Sequence, residues 1–508
     1  MTKKISRRTL LKGGVCLGAA AGLYSPLGNA KLGVPTIRSS NKVVVIGSGF
    51  GGSIATLRLA QAGIPVTLVE RGRNWAYQGE NTFPTLSGGG DGTSWRDPGL
   101  FGGSTGLLEE FINGSEIVGC GAGLGGGSLV YGGVLLQPLR ELFEQALPQL
   151  NYDDFNNIYY PRVLSHVSGG PIPDDILNSP NYTSMRVFIK NATATGLDVV
   201  RSEVGFNWNI IREEIEGKRT PFASVGEWVY GCNSGAKNTL DRNYIADANA
   251  TGNVEILTLH NVSTIVRTSS QTFEVHCDVL DQSGKVIQNH IIECQYLFMA
   301  AGSINTTKLL LKAKALGDLP TVNDGVGQAW ATNGDELMIR RGVTDPLGYI
   351  QAGPPAIAAF DLQNPIKPVG FMHAPSITNG ATSQQQMGMC IPDKTSTVTY
   401  SRFTDRINLN WSKTANSQSN EALLSTMNRM AAVSGGKVIN LRVEGTWHPV
   451  GGAAMGVACS YLGELNGTPN LYVIDGALIP GSSGAANPSL TIGANAERIM
   501  ETLVSQIT

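Results

Sequence analysis

The sequence predicts an α/β protein in which a parallel-sheet domain, left and re-entered by the chain, is joined to a second α+β domain built on an antiparallel sheet. Three observations predict it. An apolar β-branched run, Val43-Val44-Val45-Ile46, leads straight into a glycine-rich turn and a helical stretch, which is how a Rossmann-like unit opens. A later apolar strand, Tyr296 to Ala300, runs through Ala301-Gly302-Ser303 into a helix containing Leu309-Leu310-Leu311 and brings the chain back to that domain. Between about 316 and 440 the pattern changes: Ile407, Leu409 and Trp411 alternate with Asn408 and Asn410, as in a strand with one wet face.

Length and composition agree with two or three globular domains. The chain has 508 residues, 42% hydrophobic and 15% charged, which excludes a disordered, collagen-like or coiled-coil protein. A net charge of -2 without a basic block argues against a nucleic-acid partner. Seven Cys with no C-x-x-C pair, and six scattered His, give neither a disulfide scaffold nor a metal site. Glycine is the outlier, 63 residues that cluster instead of repeating.

Residues 1–30 read as an export signal. Lys3, Lys4, Arg7, Arg8 and Lys12 precede an apolar small-residue stretch from Gly13 to about Leu23, and Gly28-Asn29-Ala30 offers a cleavage site. Ser6-Arg7-Arg8-Thr9-Leu10-Leu11-Lys12 resembles a twin-arginine signal, which carries folded proteins and suits one that acquires a cofactor before export; an ordinary Sec signal is the alternative. Removing five basic groups and no acid from a chain of net -2 leaves -7. The expected location is periplasmic or secreted. Six Cys remain, and Cys277 with Cys294, flanking a predicted hairpin, are the candidate disulfide.

The glycine-rich turn is Gly47-Ser48-Gly49-Phe50-Gly51-Gly52, followed by a predicted helix over 53–62, a strand Val66-Thr67-Leu68-Val69 and an acid, Glu70. Each part has a task in dinucleotide binding: Gly47 makes the tight turn, Gly49 admits the pyrophosphate to the backbone, and Gly52 lets the helix pack on the strand. Free N–H groups at the helix start favour phosphate, and Glu70 can accept from a ribose hydroxyl. A second glycine cluster, Gly119 to Gly133, reads as backbone pressed against that cofactor, and residues 73–106 as a long irregular segment. Near the end, Trp447-His448-Pro449 and Ala486-Asn487-Pro488 stand out, with Asn470 to Gly476 a strand ending on Asp475 and a last helix starting at Pro488.

These motifs together resemble the glucose-methanol-choline (GMC) oxidoreductase family, most closely its bacterial cholesterol oxidases with non-covalent FAD, from about residue 41 to the end. The resemblance implies a Rossmann-like FAD-binding domain over 41–75, 117–135, 231–315 and 441–508, and a substrate domain over 76–116, 136–230 and 316–440. It implies FAD held by Gly47, Gly49, Phe50, Gly51, Gly52 and Glu70, with Gly125, Gly126, Gly127, Ser128, Val130, Tyr131 and Gly132 along the flavin. Val262 would meet adenine by its backbone, and Asp475, Gly476, Asn487 and Pro488 would approach the ribityl chain and ring. His448 would take the proton of a substrate hydroxyl while the carbinol hydride passes to the flavin, and Asn487 would hold the substrate oxygen.

The family's sterol enzymes also move a Δ5 double bond to Δ4 with a Glu in the substrate domain. The matching stretch is Phe371-Met372-His373-Ala374-Pro375, without an acid; Met372 or His373 takes its place, and His373 could serve as the base. The reading is an exported FAD oxidase for a sterol-like secondary alcohol, with O2 as acceptor and transient contact with a membrane surface. A GMC dehydrogenase using a quinone or cytochrome, and a non-catalytic flavin-containing sterol binder, are the alternatives.

Overall fold

The computed structural model describes residues 34–507 except 89–91, 99–101, 114–115, 413 and 441–443. The export signal and the centre of the Gly88–Gly92 run lie outside the described residues.

Four parallel strands lie in the order Val254–Leu257, Val66–Val69, Thr36–Ile46, Val286–Met299. The fourth is long enough to serve two partners on its far edge. Its last residues pair in parallel with Leu471–Val473, while Val286 to Cys294 pairs antiparallel with Phe273–Leu280, which in turn pairs with His260–Arg267. Val43 to Ile46 and Val66 to Val69 are buried, as strands that are apolar apart from Thr67 require in a sheet covered on both faces. The first helix, Phe50–Gln61, begins three residues before the apolar periodicity suggests and lies against Tyr244–Ala250 and the last helix, Pro488–Ile507. Its glycines are steric necessities: a Cβ on Gly51 would lie 1.8 Å from the Ile474 carbonyl oxygen, and one on Gly52 would lie 1.9 Å from that of Gly47.

The second sheet is antiparallel throughout, in the order Lys437–Asn440, Glu336–Arg341, Ser383–Met389, Val369–His373, Ile357–Asp361, Asp198–Arg201. Helices Thr183–Ala194 and Ser417–Ser434 cover one face, where Met185, Phe188, Leu423 and Met430 meet Ile357, Ala359, Val369 and Phe371. Ala358, Phe360 and Met372 point the other way, onto Val134, Ala485 and Ala486 of the first domain. Residue alternation in strands decides which side chains reach the seam between the domains.

Three expectations change. The Ile407–Trp411 alternation is a strand, Arg406–Leu409, but it pairs with Val398–Ser401 in a separate hairpin whose apolar face packs with Val118, Ile304 and Trp330. Helix Tyr160–Val167 and the residues leading into it, placed with the second domain on sequence, contribute Phe143, Phe155, Tyr160 and Val163 to the core under the first sheet. The Cys277–Cys294 hairpin is real, but Cys277 faces His290 and Cys294 faces Phe273. Four positions at ~3.3 Å each put the two cysteines roughly 13 Å apart, beyond the reach of a disulfide. Both are free and buried.

Candidate active site

The glycine turn is organised by Glu70. One carboxylate oxygen accepts from the backbone N–H (3.2 Å) and hydroxyl (2.6 Å) of Ser48, and the other accepts from Gly72 N–H (2.9 Å). The Ser48 hydroxyl also accepts from Gly125 N–H at 3.0 Å, which ties the second glycine cluster to the first. The contact is backbone on backbone, since a Cβ on Gly126 would fall 2.7 Å from Gly49 Cα. Glu70 is therefore a structural clamp as well as the acid the fingerprint expects. The backbone of Glu70 also accepts from His260 N–H, two residues before Val262, which sits at a bulge in its strand.

These residues fit FAD. A Cβ on Gly49 or Gly127 would meet nothing within 4 Å, so open space borders the backbone at both positions. The first-turn N–H groups of Phe50, Gly51 and Gly52 have no intrahelical acceptor, the arrangement that receives a pyrophosphate. Other expected contacts are occupied internally. Ser128 donates to the Gly125 carbonyl and accepts from Leu240 N–H; the Tyr131 hydroxyl donates to the Asn238 carbonyl; Val130 packs with Phe83 and Leu129. Gly132 lies against Trp228. Asp475 accepts from Gly302 N–H, the Thr306 hydroxyl and Ala477 N–H, and its burial pushes its pKa up to about 6. Its neighbour Gly476 packs near Ile492 and the Pro449 carbonyl.

His448 and Asn487, 39 positions apart, meet: Asn487 Nδ2 lies 3.1 Å from His448 Nε2. Strand Glu444–Thr446, paired with Glu116–Gly121, delivers His448 beside the second glycine cluster, and Gly119 has no room for a Cβ because the Trp447 ring lies 2.5 Å from that position. Asn487 precedes Pro488, the first residue of the last helix, and its Oδ1 is buried without a partner. An orphaned acceptor beside an imidazole suits a hydrogen-bonding ligand.

The turn that holds this pair has no signature in the sequence. Asp335 Oδ1 lies 2.9 Å from His448 Nδ1, and the Thr446 hydroxyl donates to Asp335 Oδ2 (2.7 Å) while accepting from His448 N–H (2.7 Å). Two residues earlier, Asn333 donates to the Ala486 carbonyl and accepts from Ser483 N–H, fixing the loop that carries Asn487. Asn333-Gly334-Asp335 reads as an ordinary turn in the sequence, and 113 positions separate Asp335 from His448.

His373 is not in this site. It lies on the helix-covered face of the second sheet, fully buried, with Nε2 3.0 Å from the Ser184 hydroxyl and its ring near Phe188. Burial, with the Arg340 charge nearby, pushes its pKa down to about 3. Its neighbour Met372 faces the seam, with Ala485 and Ala486. The expected isomerisation base is thus on the wrong side of its own strand.

Residues 13–329 match the N-terminal model of the GMC oxidoreductases and residues 392–496 the C-terminal model. A cholesterol oxidase of Mycobacterium tuberculosis is 24% identical over 90% of this chain and 90% of its own, and one of Acinetobacter baumannii is 26% identical over 58% and 54%. Among solved structures, a fungal aryl-alcohol oxidase superposes with a TM-score of 0.66 at 14% identity, covering 92% of this chain and 100% of its own. An Aspergillus oryzae formate oxidase variant studied for FAD modification superposes at 0.60 and 12% identity, covering 92% and 98%.

Proposed function

The chain belongs to the GMC oxidoreductase family and is an FAD-dependent alcohol oxidase of that type, and from that premise we propose that it oxidises a sterol-like 3β-hydroxyl to the ketone, with O2 reduced to H2O2 and without double-bond isomerisation. The cholesterol oxidase names of its relatives support the substrate class. The observation that carries the chemistry is the His448–Asn487 pair, which brings an imidazole nitrogen and an amide N–H donor within 3.1 Å of each other.

FAD, when bound, supplies the acceptor for the carbinol hydride. The chain handles the rest. His448 Nε2 takes the hydroxyl proton, a task suited to imidazole because the free group changes protonation near neutral pH. Asn487 donates to the alcohol oxygen and orients its carbon. Of the two side chains that match the family's isomerising acid, Met372 is the one that faces the seam, and it moves no proton, so the product keeps its Δ5 double bond.

Two further parts of the proposal concern where the enzyme works. Residues 1–30 direct export through the twin-arginine machinery to the periplasm or medium. Tyr349, Ile350 and Ile377 are exposed on two touching loops, and transient contact of such apolar side chains with a lipid surface would suit an enzyme that draws its substrate from a bilayer. Among the described residues, no helix is long and apolar enough to cross a membrane.

Anaerobic mixing of the oxidised protein with cholesterol tests the reading. Bleaching of the visible flavin band, then peroxide on admission of oxygen, is expected, with no enone absorption appearing at the enzymatic rate. A flavin that stays oxidised overturns the sterol assignment. Reduction by cholesterol that reoxidises only with a quinone or dye overturns the oxygen assignment.

A further inference from the structure

We propose that Asp335 is the positioning residue that fixes the tautomer of His448 and carries the counter-charge when that imidazole gains a proton. The inference rests on the reading of His448 as the proton acceptor. An ionised carboxylate can only accept hydrogen bonds. Asp335 Oδ1, 2.9 Å from Nδ1, therefore requires the neutral ring's proton on Nδ1 and leaves Nε2 with a free lone pair. That lone pair faces Asn487 Nδ2, a donor, at 3.1 Å. Both contacts are consistent with one tautomer and inconsistent with the other.

The carboxylate is itself held. Its Oδ2 accepts from the Thr446 hydroxyl, and the same hydroxyl oxygen accepts from the His448 backbone N–H, which closes a ring of contacts around the imidazole. The Asp335 side chain is 3% exposed and the His448 side chain 15%, so water competes little for these partners. When the substrate hydroxyl gives its proton to Nε2 and its carbon gives a hydride to FAD, the C–O bond becomes C=O and the imidazole becomes a cation. Asp335 is the anion in contact with it. A buried carboxylate opposite a ring that becomes cationic stabilises that state without itself taking a proton.

The isosteric variant Asp335→Asn separates this role from simple packing. Its amide oxygen keeps the Thr446 contact, and its amide N–H donates to Nδ1, so the ring stays in place while its proton is forced to Nε2. The FAD-loaded protein, labelled with ¹⁵N-histidine, is compared with the variant by long-range ¹H–¹⁵N spectra, with His448 assigned through His448→Gln. The native protein is expected to show the proton on Nδ1 and the variant to show it on Nε2. With cholesterol as probe, the variant should retain FAD and lose ~10²- to 10⁴-fold in anaerobic flavin-reduction rate, with little change in the cholesterol concentration that half-saturates it. The same tautomer in both proteins, or a variant that reduces its flavin at the native rate, overturns the proposal. Should the native flavin not respond to cholesterol, the sterol reading fails while the tautomer measurement still decides the role of Asp335.

Discussion

Replacing Gly49 by alanine adds one methyl group where the backbone accepts it and the protein leaves it room. Gly49 has φ -70° and ψ -166°, an extended conformation open to any L-residue, and its Cβ would find no heavy atom within 4 Å. A Gly→Ala change at such a position stabilises a fold by about 0.4–1 kcal/mol, because the unfolded chain loses freedom. The open space is where the pyrophosphate of FAD is expected to approach the backbone. A methyl group there acts as overpacking, worth ~1–3 kcal/mol against the ligand, or roughly 5- to 150-fold in affinity. The expected result for Gly49→Ala is an apoprotein at least as heat-stable as the native one that releases FAD far more readily on dilution, read from the rise in free-flavin fluorescence. Gly52→Ala is the contrasting control. Its methyl would lie 1.9 Å from the Gly47 carbonyl oxygen and 3.0 Å from Ala300 Cβ, so the helix must leave the strand and the fold itself suffers. A Gly49→Ala protein that holds FAD within twofold of native would refute the placement of the pyrophosphate. One that unfolds as early as Gly52→Ala would refute the steric reasoning.

Other changes test other parts of the molecule. His448→Ala should keep its yellow colour and lose ~10²-fold or more in flavin reduction by alcohol under nitrogen; an unchanged rate removes His448 from the chemistry. Arg58 grips the fully buried Glu497 with two 2.7 Å hydrogen bonds, pinning the first helix to the last. Arg58→Met leaves that carboxylate with Tyr244 and a 3.7 Å contact to Arg162, and should cost about 3 kcal/mol, seen as a lowered denaturant midpoint. His373, with its pKa pushed down to about 3, binds fewer protons folded than unfolded, so its contribution is intact above its unfolded value near ~6.5 and is lost as pH falls toward 3. At pH 4.5 that loss is about 3 kcal/mol, and a His373→Gln protein should show a flatter decline in stability between pH 6.5 and 4.5 in urea titrations; a parallel decline would place the acid sensitivity elsewhere. Met372→Glu, on the seam face, should give a protein that converts a Δ5-3-ketosteroid to the conjugated enone, followed by its ultraviolet absorption, whereas His373→Glu, on the opposite face of the same strand, should not.

The elements that could be read from the sequence are those whose signal is local. Val43–Ile46 and Val66–Val69 are buried in parallel pairing, so their side chains are apolar apart from Thr67, and Gly47, Gly51 and Gly52 between them are dictated by backbone contacts at 1.8–2.2 Å from any added Cβ. The start of the first helix was less legible, since Phe50, Gly51 and Gly52 are poor helix formers held in a turn by Ile474 and Gly47. Alternation at Ile407 and Leu409 reveals a strand but not its partner, and the hairpin with Val398–Ser401 depends on packing against Trp330. The Met372 and His373 pair shows the same limit more sharply. Period-two geometry requires neighbours to face opposite ways, but the side that receives helix Thr183–Ala194 is set by tertiary packing, and that choice removes the titratable group from the site.

The Asn333-Gly334-Asp335 turn shows why a buried site can hide in an unremarkable stretch of sequence. Turn residues usually face water, yet Asn333 is wholly buried in a left-handed conformation, φ 58°, and a Cβ on Gly334 would fall 2.1 Å from the Cys390 carbonyl oxygen. A buried turn must find partners for its polar groups inside the protein. Asn333 finds them on Ser483 and Ala486, and Asp335 finds them on Thr446 and His448. One turn, entering the strand Glu336–Arg341 of the second sheet, thereby sets the positions of two functional side chains that the first domain supplies from separate segments. The domain seam is consequently part of the geometry of the candidate site: a shift of the second sheet would move Asp335 and Asn333 together, and with them the contact between His448 Nε2 and Asn487.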